Sequence, residues 1–84
     1  MSSSQPDVDP RAKEVVFSED ELTVVLADGR RISVPLAWFP RLLRATHAQR
    51  RNFELLGDGI GIHWPDVDED LSVEGLLRGN PAAG

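Results

Sequence analysis

The sequence predicts a small α+β domain in which an antiparallel three-stranded meander and a second hairpin pack with short helices, in the order βββ-αα-ββ-α. Alternating apolar and polar residues on both sides of Asp28-Gly29 indicate the meander, and apolar runs on both sides of Gly57-Asp58-Gly59 indicate the second hairpin. A helix-start signal at Thr46 lies between the two strand regions, and a final short helix is predicted over residues 72–78.

The meander is predicted to use strands at residues 14–17, at residues 22–27 and from residue 31 onward. Its second and third strands meet at Asp28-Gly29, which is typical of a two-residue hairpin because both turn positions need a positive φ. Gly29 is therefore expected to be a structural requirement. Pro35 ends the third strand because proline has no N–H to donate to a neighbouring strand.

Two short helices should follow, over residues 38–45 and 47–52. Pro40 is tolerated in the first turn of the first helix. Thr46 and Gln49 fit a capping box, in which the threonine hydroxyl accepts the Gln49 amide and the glutamine side chain reaches back to the Thr46 amide.

The second hairpin is predicted to pair residues 53–56 with residues 60–64 and to stop at Pro65. Residues 66–70 are predicted to be an acidic loop before the last helix. Residues 1–12 are polar and predicted to be a disordered tail, residues 13–78 a single domain, and residues 79–84 a C-terminal tail. The predicted core consists of Phe17, Leu22, Val24, Leu26, Ile32, Val34, Trp38, Leu42, Ile62, Trp64, Leu71 and Leu76.

Composition excludes several classes of protein. The chain has no cysteine, so neither a disulfide nor a thiolate metal site stabilises it. No stretch approaches the ~20 apolar residues of a membrane span. The first ten residues lack both the basic start and the apolar segment of a secretory signal, so we expect a cytoplasmic protein.

Charge is distributed unevenly along the chain. Residues 29–53 contain six arginines and no acid, whereas the rest contains three basic and fourteen acidic residues, for a net charge of −5. An acidic domain is a poor nucleic-acid binder on its own. The distribution suits a basic partner, or a homodimer that pairs the end of one copy with the middle of the other.

No set of residues predicts catalysis. His47 and His63 have neither a cysteine nor a serine in a nucleophile motif to activate, so we expect no enzyme, no catalytic residue and no cofactor. A metal site at His63 and the 66–70 segment is one alternative, because carboxylates and imidazole bind divalent ions. That segment lacks the EF-hand pattern, and the opposing interpretation is a solvated loop that caps the last helix.

The arginines of the two short helices are the main binding candidates. They would contact phosphates, as in a nucleic-acid-binding regulatory domain, or an acidic protein surface. The opposing interpretation is that they pair within the molecule with the 66–70 segment. The full set of partner-binding candidates is Arg41, Arg44, Arg50, Arg51, Trp38, Asp66, Asp68, Glu69 and Asp70.

Five sequence blocks follow Asp28-Gly29-Arg30 in a distinctive order: Val34–Leu42, Ala45-Thr46, Arg50–Glu54, Gly59–Pro65 and Asp68–Leu77. Over nearly all of residues 14–78 they resemble the bacterial domain-of-unknown-function family two-four-four-two. Members of that family are small prokaryotic proteins, often encoded beside a second small protein in what resembles a toxin–antitoxin module. Some carry an additional helix-turn-helix domain. Because this sequence stops at Gly84, we expect no autonomous transcriptional control.

The resemblance implies an antitoxin-like half whose partner is a small basic protein, a toxin encoded by an adjacent gene. It implies no catalytic residue. Our own interpretation of the shared blocks is structural: Pro35 and Pro40 bracket a strand-to-helix corner, and Trp38 stacks on Trp64 across it. Asp68 and Asp70 would then meet Arg41 or Arg44. The predicted structural residues are Gly29, Pro35, Pro40, Thr46 and Trp64.

Overall fold

Six strands and three short helices form residues 9–79, the part of the chain that the computed structural model describes. The strands are β1 (Ala12–Phe17), β2 (Glu21–Leu26), β3 (Arg31–Pro35), β4 (Glu54–Leu56), β5 (Gly61–Trp64) and β6 (Glu69–Ser72). The helices are α1 (Pro40–Leu43), α2 (His47–Arg51) and α3 (Val73–Arg78), and 3-10 turns span Leu36–Trp38 and Gly57–Gly59. The predicted α+β class is confirmed. Of the tails predicted at residues 1–12 and 79–84, residues 1–8 and 80–84 lie outside the described residues, whereas Ala12 belongs to β1 and Gly79 caps α3.

The first sheet is the predicted meander, with antiparallel strands in the order β1-β2-β3. At its β2–β3 turn the Leu26 amide donates to the Arg30 carbonyl at 2.8 Å, so the turn has three residues, 27–29, in place of the predicted two. Asp28 does not have the positive φ predicted for it, whereas Gly29 has a φ of +96°. Residues with a Cβ rarely adopt that conformation, which is why glycine stands there.

The first strand starts two residues earlier than predicted. Ala12 pairs with Leu26 and is buried, and the Asp9 amide donates to the Asp28 carboxylate at 3.0 Å. A register shift between Ala12 and Glu14 hides the regular alternation of strand residues, and the sequence pattern therefore missed the start of β1.

The second sheet differs from the predicted hairpin because it has three antiparallel strands, in the order β4-β5-β6. Residues 69–72, placed partly in the predicted acidic loop, form β6 and pair with β5. Leu71 lies opposite Ile62 and both are buried, so an apolar contact across the strands outweighs the low strand preference of acidic residues.

The helical segment is more broken than predicted. The Leu36–Trp38 turn precedes α1, which is limited to Pro40–Leu43, and Thr46 separates α1 from α2. The capping box at Thr46 is present: the Gln49 amide donates to the Thr46 hydroxyl at 3.1 Å, and the Thr46 amide donates to Oε1 of Gln49 at 2.9 Å.

Both sheets, α1 and α3 contribute to one apolar core. Nine predicted core residues are buried, but Phe17, Ile32 and Trp38 are only partly buried at its margin. Leu36 and Phe39 are buried instead, with 0% and 1% of their surface exposed. Residues three apart lie on the same side of a 3-10 turn, so the Leu36–Trp38 turn directs Leu36 and Phe39 together into the core.

None of the helices in residues 9–79 is long and apolar enough to cross a membrane.

Candidate functional site

The four candidate arginines lie on or beside α1 and α2, but they do not form one uniform basic face. Within residues 9–79 none of them has a carboxylate oxygen within ion-pair distance. Arg41 donates from Nη1 to the Asp68 main-chain carbonyl at 2.5 Å. Arg44 and Arg51 are exposed, and no side-chain hydrogen bond engages them in this part of the chain. Pairing with the 66–70 segment therefore involves Arg41 alone, and through the main chain.

The side chain of Arg50 connects several elements of the fold, a role that the sequence analysis did not predict. Its Nε donates to the Leu42 carbonyl and its Nη2 to the Leu43 carbonyl, each at 2.9 Å, at the C-terminal end of α1. Its guanidinium carbon lies 5.5 Å from the centre of the Phe17 ring, and its own carbonyl accepts the Trp64 indole N–H at 2.9 Å. Arg50 thus joins α1, α2, β1 and β5.

The two tryptophans occupy different environments, and the predicted stacking between them is wrong. Trp64 is fully buried, with its ring centre 6.2 Å from those of Phe17 and Phe53. Trp38 is partly buried and pairs instead with Phe39, at 6.5 Å. Pro35 ends β3 and Pro40 begins α1, so the two prolines do bracket the strand-to-helix corner.

The acidic segment divides into side chains with separate partners. The Asp66 carboxylate accepts the Asn52 amide at 3.0 Å, and Asp70 pairs with His63. Asp68 has a φ of +53° in the turn before β6 and contacts Arg41 through its main chain. The carboxylates of this segment therefore do not converge on one point.

Glu69 differs from its neighbours because only 8% of it is exposed. It lies opposite Trp64 across the β5–β6 pair, on the side of the second sheet that faces the core. Burial raises the pKa of Glu69, and the nearby positive charge of Arg41 opposes that effect.

His63 and Asp70 lie opposite each other on the outer side of the second sheet, with Glu54 on the other side of His63. Nδ1 of His63 is 2.5 Å from an Asp70 oxygen. This hydrogen bond, more than any other cause, raises the pKa of His63. In residues 9–79 no three His, Asp or Glu side chains are placed to hold a metal ion, so the structure does not assemble the alternative metal site.

A surface that sequence reasoning missed lies at the free edge of the second sheet. Leu55, Leu56 and Ile60 are 39%, 43% and 63% exposed. The exposed acids Glu54 and Asp58 lie between and beside them, on β4 and the Gly57–Gly59 turn. These five residues are called the acidic–apolar surface below. The sequence pattern places Leu55 and Leu56 on a strand of the second hairpin but in neither the predicted core nor the set of partner-binding candidates.

Together, these observations define a small α+β domain built on two three-stranded antiparallel sheets joined by short helices. The chain belongs to the family described as Protein of unknown function (DUF2442), whose family model matches residues 12–82. The resemblance seen in the sequence is thereby confirmed.

Two solved structures share this fold. One is the crystal structure of a protein of unknown function from Rhodospirillum rubrum, which is 31% identical, with a TM-score of 0.72 over 87% of this chain and 90% of that one. The other is the solution NMR structure of an uncharacterized protein from Chromobacterium violaceum, which is 25% identical, with a TM-score of 0.73 over 88% of this chain and 70% of that one. A comparison with curated proteins finds no match.

Proposed function

We propose that this protein is a non-enzymatic protein-interaction module, the antitoxin-like half of a prokaryotic toxin–antitoxin pair, which acts in the cytoplasm by covering a small basic protein. The acidic–apolar surface is the observation that carries the proposal. The family resemblance supports the antitoxin-like role, and the net charge of −5 supports a basic partner.

Apolar exposure at this surface is concentrated. Leu55, Leu56 and Ile60 lie within six consecutive residues, and clustered exposed apolar side chains mark interaction sites. Strand β4 is also the outer strand of the second sheet, so the backbone on its far side is open to an additional strand in the described part of the chain.

Charge at the same surface favours a basic partner. Glu54 and Asp58 are exposed, and neither forms an ion pair within residues 9–79. Lysine or arginine side chains of a partner would meet these carboxylates at the rim, while Leu56 and Ile60 supply the apolar centre and Leu55 lies at the strand edge, opposite Ile62. That arrangement of apolar centre and polar rim is usual in protein interfaces.

The test is calorimetric titration with the small basic protein encoded by the adjacent gene. We expect a complex that Leu56→Lys or Ile60→Lys weakens by about a hundredfold, since each places a charge in the apolar centre. Leu43→Lys is the matched control because Leu43 is equally exposed, at 46%, but lies on α1. Thermal unfolding of each variant establishes that the fold is intact.

A protein that ignores its basic neighbour, or that binds it equally well with Leu56→Lys and Ile60→Lys, would refute the proposal. A gel shift with duplex DNA at low salt tests the nucleic-acid alternative. Binding to DNA that Arg44→Glu and Arg51→Glu abolish would assign the function to the arginines instead.

A further inference from the structure

Strand β1 has a free edge in the first sheet. It is an outer strand of the first sheet and pairs only with β2. Within residues 9–79, no backbone hydrogen bond reaches residues 14–17 from the other side. Only the start of the strand is covered there, because Gly59 packs directly on the Ala12 backbone. An open strand edge of this kind is a template for an added strand.

A groove of ≈ 350 Å³ runs along this open edge. Its β1 wall consists of the consecutive residues 14–17, and its α2 wall consists of His47, Arg50 and Arg51. Four consecutive strand residues line one groove only when it follows the strand edge, since alternate side chains point to opposite faces. Val16, at 43% exposure, gives this β1–α2 groove an apolar contact surface.

The two walls differ in charge. Arg51 and His47 have no side-chain hydrogen bond or ion pair within the described chain, and Arg50 is held in place by two carbonyls. The α2 wall therefore presents one fixed arginine, Arg50, and one exposed arginine, Arg51, and neither has a carboxylate partner in the described chain. The β1 wall contributes Val15, Val16 and Phe17, with Glu14 as its single acid.

We propose that the β1–α2 groove binds an extended acidic peptide segment of a partner protein, which pairs with β1 as a fourth strand of the first sheet. An extended peptide directs alternate side chains to opposite sides, so one set would carry carboxylates toward the α2 arginines while the other packs on β1. This site is separate from the acidic–apolar surface and takes a partner segment of opposite charge.

The probe for this site is a fluorescein-labelled peptide that alternates valine and glutamate, compared with one that alternates valine and lysine. Fluorescence anisotropy with the full chain should show the glutamate peptide binding at least about tenfold more tightly. N-methylation of alternate peptide nitrogens on the edge that faces β1 should abolish binding while leaving every charge in place. Strand pairing requires those N–H donors, whereas simple charge attraction does not.

Two arginine variants complete the test. Arg51→Glu should weaken binding of the glutamate peptide by about tenfold or more. Arg44→Glu makes the same charge change on an exposed arginine outside the groove and should leave binding within about twofold of the unchanged protein. Leu56→Lys, which tests the acidic–apolar surface, should not change the affinity for the glutamate peptide. Failure of one proposal is therefore distinguishable from failure of the other.

Three results would overturn the inference. The first is no binding of the glutamate peptide, and the second is binding that N-methylation leaves unchanged. The third is concentration-dependent self-association in sedimentation that Val16→Lys abolishes, which would assign the β1 edge to a second copy of this chain.

Discussion

Gly59 offers the sharpest test of how the two sheets are joined. A Cβ at this position would lie 2.3 Å from the Ala12 carbonyl oxygen and 2.9 Å from the Ala12 nitrogen. Both contacts are with main-chain atoms, so Gly59→Ala forces β1 and the Gly57–Gly59 turn apart. Gly29 is a matched control: its φ is similar, +96° against +106°, but a Cβ there would meet no atom of residues 9–79 within 4 Å.

The expected magnitudes follow from that difference. Gly29→Ala incurs only the conformational penalty of a positive φ, about 1–2 kcal/mol. Gly59→Ala adds the penalty of overpacking, about 1–3 kcal/mol, for a total of roughly 2–5 kcal/mol. For a domain of this size, the melting temperature should fall by roughly 5–15 °C in the control and by roughly 10–40 °C in Gly59→Ala.

Urea unfolding followed by circular dichroism measures both free energies, and thermal unfolding gives the melting temperatures. If the Gly59→Ala protein is unfolded at room temperature, its loss of folding free energy lies at the high end of the expected range. An equal loss of unfolding free energy in the two variants, or a smaller loss in Gly59→Ala than in Gly29→Ala, would refute the close approach of the turn to β1.

Three further predictions concern single side chains. Thr46→Ala should lower the free energy of unfolding by about 1 kcal/mol, with Thr46→Ser close to unchanged in urea unfolding. The raised pKa of His63 means that its bond to Asp70 stabilises the fold fully below the unfolded pKa and ceases to do so as pH rises through the folded one. His63→Gln should therefore lower the melting temperature at about pH 5.5 and not at about pH 9; an equal loss at both would contradict this. The raised pKa of Glu69 likewise favours the folded state at low pH, so Glu69→Gln should gain stability relative to the unchanged protein as pH rises from about 4 to 7 in thermal unfolding, and a constant difference would contradict it.

Local signals in the sequence predicted local structure well. The turn at Gly29 and the Thr46–Gln49 capping box depend on neighbouring residues, and both lie where predicted, although the turn has three residues instead of two and Asp28 lacks the positive φ expected of it. Strand β6 depends on its partner strand more than on its own composition: its Glu-Asp-Leu-Ser sequence has little strand preference, and Leu71 packs opposite Ile62 of β5. Pattern reasoning cannot supply such a pairing.

The candidate site was less predictable because it, too, depends on contacts between elements and not on neighbouring residues alone. Trp38 and Phe39 are adjacent aromatic residues, and only the 3-10 turn decides that Phe39 is the buried one. The exposure of Leu55 and Leu56 follows from β4 being an outer strand of its sheet, which a sequence pattern does not encode. Arginine charges were visible in the sequence, but their individual hydrogen bonds were not.

The position of Arg50 has a practical consequence for mutational mapping. Replacing it with alanine removes two hydrogen bonds to α1 carbonyls and the contact with Phe17, so the variant loosens the segment that also supports Arg51 and the Trp64 indole. Even lysine is a poor substitute, because a single ammonium group on a flexible chain lacks the planar fork of donors. An alanine scan of the basic helices would consequently score Arg50 as a binding hot spot for any partner, although the loss of affinity would come from a damaged scaffold.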